Sequence, residues 1–249
     1  VQFASLGLLL QAGLTVGINA GDSLFLAQIG ADKLPHIYIL TPLLMLMYIP
    51  TVTALLRRFG IDRVLDGTMA VFVVGGGVFW LCLSHWADVP PVALCYAAKL
   101  YASLWFVGLY TLFWSYLDDF FDLMDAKRLF ALFAAGSACG DVLGGAICSF
   151  RGSEGGIGPL YLWWSAFALA AWPVLLATRR RWRRVEMDAL EGDSGGSLAA
   201  VASLWQSRYA KAVALALFFI LVTSTLCEYQ FMTVFSRGRD AAGISTLLG

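Results

Sequence analysis

Charge is what this chain has least of. Lysine, arginine, aspartate and glutamate together make up 14% of the 249 residues, against 59% hydrophobic. No water-soluble domain of this size needs such a balance, so the solvent is lipid. Histidine occurs twice, at His36 and His85, both at the edges of apolar runs and read as interfacial bystanders. The five cysteines, Cys82, Cys95, Cys139, Cys148 and Cys227, lie inside apolar runs with no C-x-x-C spacing. They read as small core residues, which excludes a disulfide framework and a cysteine metal site. Also missing are a G-x-x-x-x-G-K-[ST] loop, a G-x-S-x-G elbow, an H-E-x-x-H pair and any nucleophile placed with a base. An enzyme is therefore not expected, nor a metal, a cofactor or a nucleic-acid partner. No cleavable signal peptide is evident.

Long apolar runs are what the chain has instead. A helix crossing the hydrocarbon core takes roughly 20 apolar residues, and seven such spans read at about 4–28, 36–56, 67–86, 91–117, 129–150, 159–178 and 212–235. Runs this long without alternation predict helices, not a barrel. The basic residues are lopsided. Arg57, Arg58 and Arg63 follow span 2, Lys127 and Arg128 follow span 4, and Arg179, Arg180, Arg181, Arg183 and Arg184 follow span 6. The alternate loops hold Lys33, Arg151 and, after span 7, Arg237 and Arg239. The positive-inside rule then puts the amino terminus in the cytoplasm and sends span 7 outward. A multi-pass protein of a bacterial-type inner (plasma) membrane is expected, with membrane lipid and a small-molecule solute as its partners.

Residues 1–184 read as one six-span bundle, 185–200 as a flexible cytoplasmic linker rich in glycine and serine, and 201–249 as the start of a second bundle. The chain reads as a piece of a longer protein. The segment from Val201 to Lys211 is either a short interfacial amphipathic helix or the first turns of span 7. Six spans, a linker and further spans form the layout of the major facilitator architecture, whose two halves enclose a midplane cavity. The fold class expected is an all-α, major-facilitator-like six-helix bundle plus the start of a second. On span 5, Gly136, Gly140 and Gly144 recur every fourth residue and predict close backbone packing. The run from Arg179 to Arg184 is read as fixing topology, with Trp182 as an interfacial anchor.

An ionisable group at the centre of a spanning helix costs about 2.5–3.5 kcal/mol on insertion scales, so each asks for a partner or a task. Five positions qualify: Asp22, Lys99, Asp119, Asp141 and Glu228. Counted along their helices, Asp22 and Lys99 reach the same depth in the outer third and are predicted to pair or share a cavity. Asp141, near the middle of span 5, and Glu228, in the outer third of span 7, have no evident basic partner. They are read as candidates for cation or proton coupling.

The stretch Phe113-Trp114-Ser115-Tyr116-Leu117-Asp118-Asp119, followed by Asp125-Ala126-Lys127-Arg128-Leu129-Phe130, resembles the ATP:ADP antiporter (nucleotide translocase) family, a branch related to the major facilitators. That family carries F-W, a polar pair ending in an acid, then E-A-K-R-F-Y at the same spacing. Asp119 takes the acid position, and Asp125, Lys127 and Arg128 fall in a cytoplasmic motif. Gly21-Asp22 with Leu24-Phe25-Leu26 resembles the end of the family's first span, and Cys227-Glu228-Tyr229-Gln230-Phe231 its seventh. The chain departs from the pattern at two places. Where the family's nucleotide exchangers have a lysine just before the span 1 aspartate this chain has Gly21, and four residues after the span 7 glutamate it has Met232.

The resemblance implies a secondary transporter of nucleotide (ATP/ADP-like) or another anionic solute, working by alternating access. Asp22, Lys99, Asp119, Asp141 and Glu228 would then line the substrate path or couple it. The missing lysines support a second expectation, a transporter-derived membrane scaffold or sensor that signals through a cytoplasmic module.

Overall fold

The computed structural model describes residues 2–86, 90–121, 123–181, 207–237 and 239–249, the side chains of 123–129 and 152–155 excepted. Among the described residues all regular structure is helical: α1 (Gln2–Gln28), a 3-10 turn (Ala31–Lys33), α2 (Leu34–His85), α3 (Val92–Asp118), α4 (Leu123–Gly155), α5 (Gly158–Arg181), α6 (Arg208–Phe235) and α7 (Ala241–Leu248). Helices α1 to α6 are each long and apolar enough to cross a membrane. Apart from the breaks at Pro42, Pro50 and Gly60 in α2 and Pro173 in α5, each pairs its backbone groups internally, which is what hydrocarbon demands of a spanning segment.

Seven apolar runs fall on six such helices because α2 carries two of them. As one straight rod its 52 residues would extend about 78 Å, more than twice the hydrocarbon thickness. Gly60 breaks it, with φ 76° and ψ 162°, a conformation that glycine alone adopts freely. The packing shows that the chain reverses there. The Tyr48 ring lies 6.2 Å from Trp105, and the Tyr101 hydroxyl donates to the Val71 carbonyl at 2.8 Å. Residues 48 and 71 would stand about 35 Å apart on a straight helix, yet both meet the same turn of α3.

That reversal lets the helices alternate in direction. One end of the bundle, the basic face, gathers the start of α1, the Gly60 turn, the ends of α3 and α5 and the start of α6. Arg57, Arg58, Arg63 and Arg179 to Arg181 cluster there. Arg179 fastens this end: its Nε lies 3.0 Å from Asp62 Oδ1, Nη1 donates to Asp66 Oδ2 at 2.6 Å, and Nη2 donates to the Asp62 carbonyl at 2.9 Å. Its guanidinium also sits 6.0 Å from the centre of the Tyr116 ring. The end of α5, the end of α3 and the restart of α2 are thereby held together.

Helix α1 is the centre of the bundle and packs against α3, α4, α5 and α7. Its closest neighbour is α4, and the glycine stripe is the reason. A Cβ at Gly136, Gly140 or Gly144 would come within 2.5, 2.3 or 2.7 Å of the backbone oxygens of Ala4, Leu8 and Ala12. Four-residue steps on one helix thus mesh with four-residue steps on the other. On the far side of α1 an aromatic layer fills the space to α5, with Phe72 and Trp164 4.6 Å apart and Tyr101 5.6 Å from Trp164. Apolar side chains such as Met47, Val74, Val142 and Phe150 point outward, as lipid permits.

Helix α6 stands apart. From Arg208 to Leu226 it is largely uncovered, and it meets the bundle through Tyr229 and Met232, which pack with Phe25, Leu26 and Ile37. The linker 185–200, residues 182–184 of the arginine run and 201–206 of the amphipathic segment lie outside the described residues; 208–211 are the first turn of α6. The side chains of Asp125, Lys127 and Arg128 also lie outside the described residues, although their backbone belongs to α4.

Candidate functional site

Three ionisable groups from three helices meet at one depth. Asp22 lies six residues from the end of α1, Lys99 seven from the start of α3 and Glu228 seven from the end of α6. Each is therefore about 10 Å from the end of the bundle opposite the basic face. Asp22 and Lys99 are 5% and 6% exposed, and the Lys99 ammonium donates to Asp22 Oδ1. The pairing expected from depth alone is present. Glu228 lies within electrostatic range of both, beside the Tyr38 hydroxyl. No basic group pairs with Glu228 among the described residues; the end of α6, leaning on α1 and the start of α2, brings it only within range of Lys99. Behind Asp22, the fully buried Tyr161 places its ring within electrostatic range of Asp22 and Cys95.

One carboxylate thus pairs with the buried ammonium, and a second, exposed one stands within electrostatic range of it. Such a trio can hold a proton or cation, or let Lys99 exchange between Asp22 and Glu228; an anion reaches Lys99 by displacing Asp22. The positions where the family has lysines are occupied by packing. A Cβ on Gly21 would sit 3.4 Å from the Ala98 carbonyl oxygen and Lys99 Cα. Met232 is buried among Phe25, Leu26 and Ile37.

Asp141 forms a separate site. Its Oδ1 accepts from Gln11 Nε2 at 3.0 Å and from the Thr15 hydroxyl, and the residue is exposed beside α1. Gln11 and Thr15 belong to a feature not anticipated from the sequence. Gln11, Thr15, Asn19 and Ser23 recur at every fourth position of α1 and so share one face. Deeper toward the opposite face, Asn19 Oδ1 accepts from Ser23 Oγ at 3.2 Å and from Ser245 Oγ at 2.9 Å, while Asn19 Nδ2 donates to the Ser245 carbonyl at 3.3 Å. Ser245 lies on α7, which also packs on α4, where Ser149 Oγ donates to the Thr246 carbonyl at 3.3 Å. The four-residue recurrence on α1 was the signal available; it is masked by the apolar residues around it.

Asp119 does not join these groups. It caps the end of α3 at the basic face and is half-buried, so it is not a charge in the membrane interior, and the expectation that it qualifies as one is corrected by the point at which α3 ends. The Arg179 cluster with Asp62 and Asp66 was likewise unanticipated, although two aspartates four residues apart just after Gly60 would have exposed it. At the opposite face a cavity of about 610 Å³ opens between the ends of α1 and α2 and the starts of α5 and α7. Leu24, Ala27, Trp80, Trp86, Asp240 and Ala241 are among its walls. His36 Nδ1 lies 3.3 Å from the Tyr96 hydroxyl and His85 packs 5.1 Å from Trp86. Both sit at the edge of the bundle. All five cysteines are free thiols.

No family model, curated protein or solved structure matches this chain.

Proposed function

We propose that this chain belongs to a secondary carrier that moves a polar solute across a membrane by alternating access, with a major-facilitator-like layout in which α1 to α5 form the first bundle and α6 opens the second. The observation that supports it most is the meeting of Asp22, Lys99 and Glu228. The first two sit on the central bundle and the third on the loosely attached α6, so a relative movement of the two parts changes which carboxylate Lys99 serves. A buried ion pair on one body with a third charge on the other is an efficient way to tie solute or ion occupancy to their movement. With arginines concentrated at one end, that end is placed in the cytoplasm and the cavity beside Trp80 outside.

An ATP/ADP-like anion is the cargo implied by the resemblance. The test is uptake of labelled ATP into proteoliposomes holding the complete protein, preloaded with ADP or left empty. Uptake that requires internal ADP is the expected result and makes the protein a nucleotide exchanger. No uptake by folded protein retires nucleotide as cargo. A second reading, a transporter-derived scaffold or sensor, is favoured by one specific observation. Gly21 and Met232, which replace the family's lysines, are packing positions, so phosphate charge would meet Lys99 alone in this part of the bundle. Failure to move any solute in the same vesicles selects this second reading.

A further inference from the structure

We infer that the polar face of α1 is one wall of a path for a small monovalent cation, held at mid-depth by Asp141 with Gln11 and Thr15, and that the Asn19–Ser245 contact closes this path toward the opposite face. The inference rests on the carrier reading and names its coupling ion.

Continuity is the first argument. Gln11, Thr15, Asn19 and Ser23 follow one another at four-residue steps over about 18 Å of α1. The next position in that series, Ala27, lines the cavity at the opposite face. The same holds on α7: Ala241 lines the cavity, and Ser245, one turn deeper, bonds to Asn19. Beneath these two lining residues lies the Asn19–Ser245–Ser23 cluster, the floor of the inferred path, in which Asn19 is 4% exposed and Ser23 and Ser245 are fully buried. Asp141 lies immediately past that floor. Gly145, one turn along α4 from Asp141, meets Gly249 at the end of α7.

Chemistry supplies the second argument. Hydrogen bonds that merely join helices account for Asn19, Ser23 and Ser245. They do not account for an exposed carboxylate in the middle of α4. Both hydrogen bonds to Asp141 come from neutral groups and both end on Oδ1. An ionised carboxylate at this depth calls for water or a positive charge. The Gln11 N–H is turned toward Asp141, as is the Thr15 O–H, which also reaches the Gln11 carbonyl at 3.0 Å; the amide oxygen of Gln11 and the lone pairs of the Thr15 oxygen are left as acceptors. A carboxylate with neutral oxygens beside it suits a hard cation or a proton.

Sign decides the ligand class. Among the described residues, the charged group lining the cavity is Asp240, and the charge beyond its floor is Asp141. Past Arg239 at the mouth, an anion entering from this end meets carboxylates along the path, whereas a cation is attracted by them.

The experiment uses the complete protein in proteoliposomes with no nucleotide on either side. Radiolabelled sodium uptake and an internal pH dye report the two candidate ions separately under imposed gradients. One of them is expected to move in the wild type. Asp141→Asn should lower that flux by about tenfold or more, Asp141→Glu should retain a measurable part, and Asn19→Ala and Ser245→Ala should each raise it. The inference is overturned if neither ion moves in the wild type, if Asp141→Asn, shown to be folded by its unchanged melting temperature, keeps full flux, or if opening the Asn19 contact leaves flux the same or lower. ADP-dependent ATP uptake in parallel vesicles separates the two readings: nucleotide exchange without cation flux removes the path and keeps the carrier, and cation flux without nucleotide exchange keeps the path and removes nucleotide as cargo.

Discussion

At the scale of single residues, the ion pair between Asp22 and Lys99 governs what the centre of the bundle can tolerate. Both groups are nearly fully enclosed, so removing one leaves the other charged and unpaired. Losses of that kind run to about 3–5 kcal/mol, whereas removing both members is often close to neutral. Asp22→Asn and Lys99→Gln are each expected to lower the melting temperature in detergent, and the double variant to recover most of the loss. Strictly additive losses would show that the two groups act independently. This pair was legible in the sequence because depth follows from counting residues along a helix. The approach of Glu228 to Lys99 was not, because counting gives depth but not azimuth, and azimuth depends on how α6 leans against Phe25 and Ile37.

At the scale of helices, three glycines do unlike things that sequence alone leaves undistinguished. Gly60 reverses the chain with a backbone that other residues adopt at a cost of about 1–3 kcal/mol, and nothing lies within 4 Å of where its Cβ would be. Gly140 is helical but pressed against the Leu8 carbonyl, with a Cβ placed 2.3 Å away. Gly67 is helical and open, with nothing within 4 Å. Replacement by alanine therefore gives three separable outcomes in thermal unfolding. Gly60→Ala destabilises through backbone strain, and Gly140→Ala destabilises by forcing α1 and α4 apart, at about 1–3 kcal/mol. Gly67→Ala stabilises by about 0.5–1 kcal/mol. No loss at Gly140 would contradict this account of the α1–α4 contact, and a loss at Gly67 would contradict its place as an open helical position. The four-residue stripe announced tight packing in advance, but its partner could not be read, since any helix with small residues at matching steps would have served.

For the molecule as a whole, enclosure falls from α1 outward. The apolar window of α1 is 67% buried, that of α3 33% and that of α6 0%. Slow exchange of backbone amides follows such gradients, so hydrogen exchange in detergent is expected to be slower in α1 than in α6. Equal protection of α1 and α6 would deny the loose attachment on which the carrier reading draws. The helical class and most span boundaries were readable from hydropathy, because lipid leaves a chain few alternatives. The polar face of α1 escaped notice because its four members are uncharged and separated by apolar residues along the helix. That same face makes assembly a matter of timing. The partners of Thr15 and Asn19 lie 126 and 226 residues further along the chain, so at about 5–20 residues per second α1 is made roughly 10–45 s before Ser245 exists. During that interval its amides and hydroxyls face lipid or a temporary protein neighbour, and the insertion machinery must shelter the helix that will become the centre until the last of its neighbours arrives.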